Sequence, residues 1–153
     1  MAAEEAITIG RRWTEDGDLT DRDVELAGAL HNLSLALADF GRHADAVAPA
    51  QEALEIRRQQ AQSAPGAFEK DFADPLIHLS TRQRKAGSLE EAVEQAEDGV
   101  EVFRRLAAED PVAHEHALCD ALARLGLALV AVGRTEAARE IHAQAAALTA
   151  AYR

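Results

Sequence analysis

Residues 30–41 read LHNLSLALADFG, and the same pattern returns at 76–87 as LIHLSTRQRKAG and at 122–133 as LARLGLALVAVG. The closing glycines are 46 residues apart in both steps (87 − 41 and 133 − 87). A fixed period of this length is typical of stacked helical repeats, in which each unit buries its apolar face against the next. The period therefore predicts a repeat protein, and such proteins mostly bind other chains.

Each unit carries two helical patterns separated by a glycine. Leu26, Leu30, Leu33 and Leu37 follow one another at steps of four, three and four, which places them on one face of an α-helix. Gly41 then ends the pattern as a left-handed cap would. A second apolar stripe starts a few residues later, so each unit is predicted to be a pair of helices.

The patterns predict seven helices and short connections between them, so that sequential helices are antiparallel neighbours. We expect eight leucines on the first helices of the units to be buried. The helices are expected at about 3–13, 21–40, 43–62, 67–86, 89–108, 112–132 and 135–151, and the leucines are Leu30, Leu33, Leu37, Leu76, Leu79, Leu122, Leu125 and Leu129.

Two helix starts and one irregular helix can also be read from the sequence. The string SLEE at 88–91 predicts a capping box, and Asp110 followed by Pro111 predicts an N-cap with a proline in the first turn. Pro75 falls inside a predicted helix, where it removes a hydrogen bond and clashes with the carbonyl of Asp71. We expect that helix to bend or restart there, and the second unit to be the least regular.

Composition limits the classes of partner and the cellular compartment. The 153 residues have a net charge of −11, which disfavours nucleic acid and anionic membranes as partners. No apolar run is long enough to span a bilayer, and the first residues do not read as a signal peptide. The single cysteine, Cys119, cannot form an internal disulfide. These features predict a cytoplasmic protein, and abundant alanine and arginine suggest a bacterial source.

Small residues recur where the two helices of a unit must approach closely. The first helices carry Ser34, Ser80 and Gly126, and the second helices carry Ala46, Ala92 and Ala138. With the interhelix glycine, this pattern resembles the tetratricopeptide repeat. The period of 46 exceeds the usual 34 of that family, and it looks like the long-helix variety of kinesin light chains and bacterial signalling proteins. A HEAT-like or unclassified αα-solenoid is the alternative.

The resemblance implies an all-α, right-handed αα-solenoid of about three helix-turn-helix repeats plus one N-terminal helix. The first residues, EEAITIGRR, match QEALEIRRQ at 51–59, so we expect the chain to begin with the second helix of an earlier unit. We expect one domain over 1–153, in which an orphan helix and acidic turn (1–19) precede repeats at 20–65, 66–111 and 112–153.

The resemblance also places partner binding on a concave surface lined by the first helices. Arg84 and Lys85 are expected to attract an acidic group, while Leu127 and Val130 take an apolar side chain. Some members of the family bind the C-terminus of a partner through a carboxylate clamp. We do not expect that function here, because only Arg124 fits the basic positions of the clamp. The expected groove-lining residues are His31, Leu35, Asp39, Asp74, Ile77, Thr81, Arg84, Lys85, Asp120, Leu127 and Val130.

No residue pattern indicates catalysis, a cofactor or a metal site. His116 and Asp120 have a spacing that could seat one metal ion, but two ligands are too few for a defined site. Cys119 is expected to be a buried, inert thiol. His31 and His78 stand at near-equivalent places and are expected to line the groove.

We therefore predict a non-enzymatic scaffold that binds a protein or peptide. The alternative is a ligand-sensing or regulatory module detached from a larger bacterial signalling protein, and an enzyme is the third reading. The terminal helices carry apolar residues that a further unit would normally cover. A homodimer through these helices is expected, unless their alanine-rich surfaces simply remain in water.

Overall fold

The computed structural model describes residues 21–63 and 65–151, without the side chains of residues 63–70. Within these residues the fold is all-α and contains no strand. The predicted helix at 3–13 lies outside them, and the other six predicted helices are confirmed. They are α1 (Asp21–Asp39), α2 (His43–Ser63), α3 (Pro65–Ala86), α4 (Leu89–Glu109), α5 (Pro111–Ala131) and α6 (Thr135–Ala150).

The chain divides into two compact units, Met1–Phe72 and Ala73–Arg153. In the first unit α1 packs against α2, and in the second unit α5 packs against both α4 and α6. The C-terminal part of α3 belongs to the second unit, where Ser80 of α3 donates a hydrogen bond to the carbonyl oxygen of Ala92 in α4. The single domain over 1–153 and its repeat boundaries stay a prediction.

Glycine ends the first helix of each pair, as the sequence predicts. Gly41, Gly87 and Gly133 have φ angles of 76°, 91° and 82°, in the left-handed region that a side chain disfavours. In each turn the next residue donates its backbone N–H to a carbonyl oxygen five residues back, which closes the helix end. The three donors are Arg42, Ser88 and Arg134, and their acceptors are Leu37, Gln83 and Leu129 at 2.8, 2.8 and 2.9 Å.

Six of the eight leucines predicted to be core are buried, but Leu33 and Leu37 of α1 are only partly buried. Their counterparts 92 residues later, Leu125 and Leu129 of α5, are each 4% exposed. Among the described residues of its own unit, α1 packs against α2, whereas α5 packs against both α4 and α6. The prediction of full burial is therefore wrong for the two α1 leucines.

One of the two predicted helix starts is confirmed. Asp110 caps α5, because its side-chain Oδ1 accepts a hydrogen bond from the N–H of Ala113 at 3.1 Å and Pro111 opens the helix. The capping box at 88–91 is wrong, since the Ser88 side chain makes no capping hydrogen bond. The backbone N–H of Ser88 is already donated to Gln83 in the preceding turn, so a reciprocal bond to it is not available.

The expected restart at Pro75 does not occur, and α3 runs uninterrupted through it. Proline has no N–H to donate to the carbonyl oxygen of Asp71, four residues earlier. Arg57 of α2 donates a hydrogen bond from Nη1 to that oxygen at 3.1 Å. The Asp71 oxygen, which receives no helical hydrogen bond from Pro75, thus accepts one from a side chain of the preceding helix.

We predict that equivalent leucines differ in their contribution to stability. Leu125→Ala should lower the free energy of unfolding by about 2–5 kcal/mol, because it leaves a cavity between packed helices. Leu33→Ala at the same repeat position should cost less than about 2 kcal/mol, since its side chain is partly in solvent already. Urea unfolding of both variants measures the difference, and equal losses would show that the burial difference is not real.

Candidate functional site

Arg124 connects the two first helices of the second unit. Its Nη1 donates a hydrogen bond to Thr81 Oγ1 on α3 at 2.9 Å, and its Nε pairs with Asp120 Oδ2 one turn earlier on α5 at 3.1 Å. Thr81 Oγ1 in turn donates to the carbonyl oxygen of Ile77 at 3.2 Å. The guanidinium is therefore held by both helices, and it fixes which turn of α3 faces which turn of α5.

Beyond Thr81 and Arg124, the two helices present different chemistry. On α5, Leu127 and Val130 are 49% and 53% exposed, one turn apart on one face. On α3, Arg84 is half-buried and Lys85 is exposed, one turn after Thr81. An apolar strip on α5 is thus accompanied by two cationic groups on α3, in a chain whose net charge is −11. We call this the α3–α5 surface.

His78 lies at the start of the α3–α5 surface, one turn before Thr81. Its side chain is half-buried, and this burial is the main reason why its pKa is lowered from the ordinary value of 6.5. The cationic Arg82 and Arg124 lower the pKa of His78 further, while Asp74 and Asp120 act in the opposite direction. The imidazole is therefore held in its neutral form near neutral pH.

The structure separates the predicted groove residues into three groups. Seven of them belong to the second unit with their side chains at least partly exposed: Asp74, Thr81, Arg84, Lys85, Asp120, Leu127 and Val130. Ile77 is only 3% exposed and lies against Gly99 of α4, so it does not line this surface. Half-buried His31 and exposed Leu35 and Asp39 lie on α1 in the first unit.

Two polar residues of α3 are buried, and sequence reasoning did not place them in the site. Arg82 is 5% exposed and Gln83 is 1% exposed. At the 46-residue spacing, Arg82 stands where other units have alanine, and Gln83 stands where they have leucine. The sequence signal for these two residues was that each is larger or more polar than the residue at the same position of the other units. The Oε1 atom of Gln83 is buried and has no hydrogen-bond partner among the described residues.

One stripe of α6 differs from the equivalent stripe of α4. On α4, Val93, Ala96, Val100 and Phe103 are at most 3% exposed. The residues 46 positions later on α6 are all exposed. They are Arg139, His142, Ala146 and Thr149. The apolar stripe of α4 is thus replaced on α6 by a stripe of polar or small residues.

Within the described part of the chain, no three histidine, cysteine, aspartate or glutamate side chains lie close enough to hold a metal ion. None of the described helices combines the length and apolarity needed to cross a bilayer. Cys119 is half-buried rather than buried, and its Sγ lies 3.3 Å from Thr149 Oγ1 and 3.5 Å from the carbonyl oxygen of Ala145.

Comparisons with known proteins agree with the sequence-based resemblance. Residues 26–59 match the family model of the tetratricopeptide repeat. BtubC (BKLC) from P. vanneervenii superposes over 99% of this chain and 56% of its own, with a TM-score of 0.76 and 20% identity. A protein from Podosopora anserina with nearly identical TPR-like repeats matches over 99% of this chain and 97% of its own, with a TM-score of 0.44 and 16% identity. No curated protein matches the chain.

The likeness to BtubC identifies the fold as an all-α helical-repeat solenoid and confirms the predicted fold class. The predicted resemblance to the tetratricopeptide repeat is confirmed by the match of residues 26–59. The chain spans little more than half the length of BtubC. The handedness of the solenoid stays a prediction.

We predict that His78 makes stability depend on pH. Because folding lowers the pKa of His78, the unfolded chain binds this proton more readily, and stability should fall as the pH drops below about 6.5. His78→Gln should lose less stability than the wild type between about pH 7.5 and 5.5. Equal pH dependence in His78→Gln and the wild type would contradict the prediction.

Proposed function

We propose that this chain is a non-enzymatic, cytoplasmic scaffold that binds a segment of another protein along the α3–α5 surface. The observation that carries the proposal is the exposure of Leu127 and Val130 beside cationic Arg84 and Lys85. Exposed apolar side chains next to charges of one sign are typical of a binding surface. The TPR-like fold supports a protein partner in general.

The chemistry of the surface favours a peptide with one apolar and one acidic side chain. Leu127 and Val130 offer apolar contact area, and burying an aliphatic side chain there supplies most of the affinity. Arg84 and Lys85 would pair with a carboxylate and select the orientation of the peptide. Arg124 is already engaged by Thr81 and Asp120, so it holds the two helices rather than the ligand.

Two of the other readings find less support in the described residues. A ligand-sensing module needs an enclosed site, and small-molecule sites usually measure about 300–1,000 Å³. The pocket between α5 and α6 measures ≈ 260 Å³ and lies open to solvent on one side. A homodimer through α6 would bury Arg139, which forms an exposed ion pair with Glu136, and removing such a pair from water costs desolvation energy. We therefore do not include a homodimer in the proposal.

The test compares two pairs of consecutive basic residues in the second unit, one on α3 and one on α4. The probe is a fluorescein-labelled peptide with one leucine flanked by glutamates, and its binding is measured by fluorescence anisotropy at low salt. Arg84→Glu with Lys85→Glu should weaken binding by about tenfold or more, and added salt should weaken wild-type binding. Arg104→Glu with Arg105→Glu, an exposed pair on α4, is the matched control and should change the affinity by less than about twofold.

The outcomes separate the α3–α5 surface from general charge effects. Equal weakening by both double variants would show that only the overall charge matters, and the proposed surface would be wrong. Loss of binding in Leu127→Ser, with an unchanged fold, would support the apolar part of the surface. Unchanged affinity in the Arg84 and Lys85 double variant would exclude this surface as the binding site.

A further inference from the structure

We propose that a pocket in the second unit binds an aromatic side chain that a partner protein presents next to lysine or arginine. The pocket lies between the start of α5 and the end of α6, away from the turn that joins them. Its volume is ≈ 260 Å³, and it is lined by Val112, Glu115, His116, Cys119, Leu148 and Thr149. This site is separate from the α3–α5 surface and does not depend on the function proposed for it.

The pocket exists because a small residue replaces a large one in the repeat. Thr149 of α6 stands 46 positions after Phe103 of α4, whose ring is only 3% exposed. The Thr149 hydroxyl turns back to its own helix and donates to the carbonyl oxygen of Ala145 at 3.0 Å. Because threonine cannot fill the space that phenylalanine fills in α4, an opening remains beside Cys119.

Packing between the repeats does not by itself account for the apolar residues that line the pocket. The stripe of α6 that includes Thr149 has Arg139 and His142 where α4 has apolar residues, so most of this stripe is polar and exposed. Val112, at the rim, nevertheless remains 93% exposed, and half-buried Leu148 lines the opposite wall. Apolar groups retained on an otherwise polar side are typical of a contact with a partner.

The size of the pocket fits one aromatic side chain. A cavity of about 150 Å³ accommodates benzene, whereas sites for whole small molecules usually exceed about 300 Å³. A pocket of ≈ 260 Å³ lies between these limits. A side chain presented by a protein segment therefore fits better than a free cofactor or metabolite.

The charge around the pocket selects a basic segment. Residues 109–119 contain three carboxylates, Glu109, Asp110 and Glu115, and no lysine or arginine. The adjoining end of α6, residues 144–151, carries no charged residue. An aromatic side chain next to lysine or arginine is complementary to this surrounding, while one next to carboxylates would be repelled.

The experiment uses three capped pentapeptides as probes of the full chain. The first has phenylalanine between two arginines, the second has alanine in place of phenylalanine, and the third has glutamates in place of the arginines. Binding is followed by NMR at the backbone amides of Val112, Cys119 and Thr149. The first peptide should shift these amides, and the other two should bind at least about tenfold more weakly.

Filling the pocket from within provides the matched variant. Thr149→Phe should abolish the shifts caused by the first peptide, because its ring would occupy the site. Ala147→Phe adds the same ring at an exposed position of α6 and should leave binding unchanged. Cys119, the single cysteine, gives a second readout, because a bound peptide should slow its alkylation by iodoacetamide.

Four results would overturn the proposal. The first is no shift at these amides and no protection of Cys119 up to the solubility limit of the first peptide. The second is equal binding of the glutamate peptide, which would rule out a basic partner. The third is unchanged binding to Thr149→Phe, shown by circular dichroism to be folded, which would place the peptide elsewhere. Concentration-dependent dimerisation lost in Thr149→Phe would also overturn it, in favour of a second copy as the occupant.

Discussion

The close approach of the two helices in each pair is the constraint on which the rest of the fold depends. In two pairs a serine hydroxyl of the first helix donates to an alanine carbonyl oxygen of the second, from Ser34 to Ala46 at 2.8 Å and from Ser80 to Ala92 at 2.6 Å. In the last pair Gly126 takes the place of serine, and a Cβ there would collide with His142. Small residues at this one position let the backbones approach closely, and the left-handed glycine turn sets the direction of the second helix.

Once the pairs are fixed, their first helices present the surface on which a partner would bind. The hydrogen bond from Arg124 to Thr81 fixes the register of α3 and α5. In this register Leu127 of α5 is exposed, and the α3 turn that follows Thr81 carries the cationic side chains. The residues that we propose for binding thus occupy positions that packing between the helices does not use, and repeat proteins combine one fold with different partners in this way.

The sequence was sufficient for most features that depend on local structure. Helix ends, the glycine turns and the Asp110 cap depend on a few neighbouring residues, and they were predicted correctly, whereas the capping box at 88–91 was not. Features that depend on which other helix packs against a residue were not predicted correctly. Ile77 was assigned to the groove although it packs against Gly99, and Leu33 was assigned to the core although it is only partly buried. The pocket beside Cys119 was missed because it arises from one missing ring, which only the comparison of Phe103 with Thr149 reveals.

Substitution of Ser80 tests most directly whether close approach holds the pairs together. Ser80→Gly introduces the residue that the last pair already has, and it should cost about 1–2 kcal/mol through the lost hydrogen bond and the flexible glycine. Ser80→Leu should cost about 3 kcal/mol or more, because the side chain would force α3 and α4 apart and leave no donor for the Ala92 oxygen. Urea unfolding of the two variants compares these costs. A loss below about 1 kcal/mol for Ser80→Leu would contradict the account, because the pair would then tolerate separation.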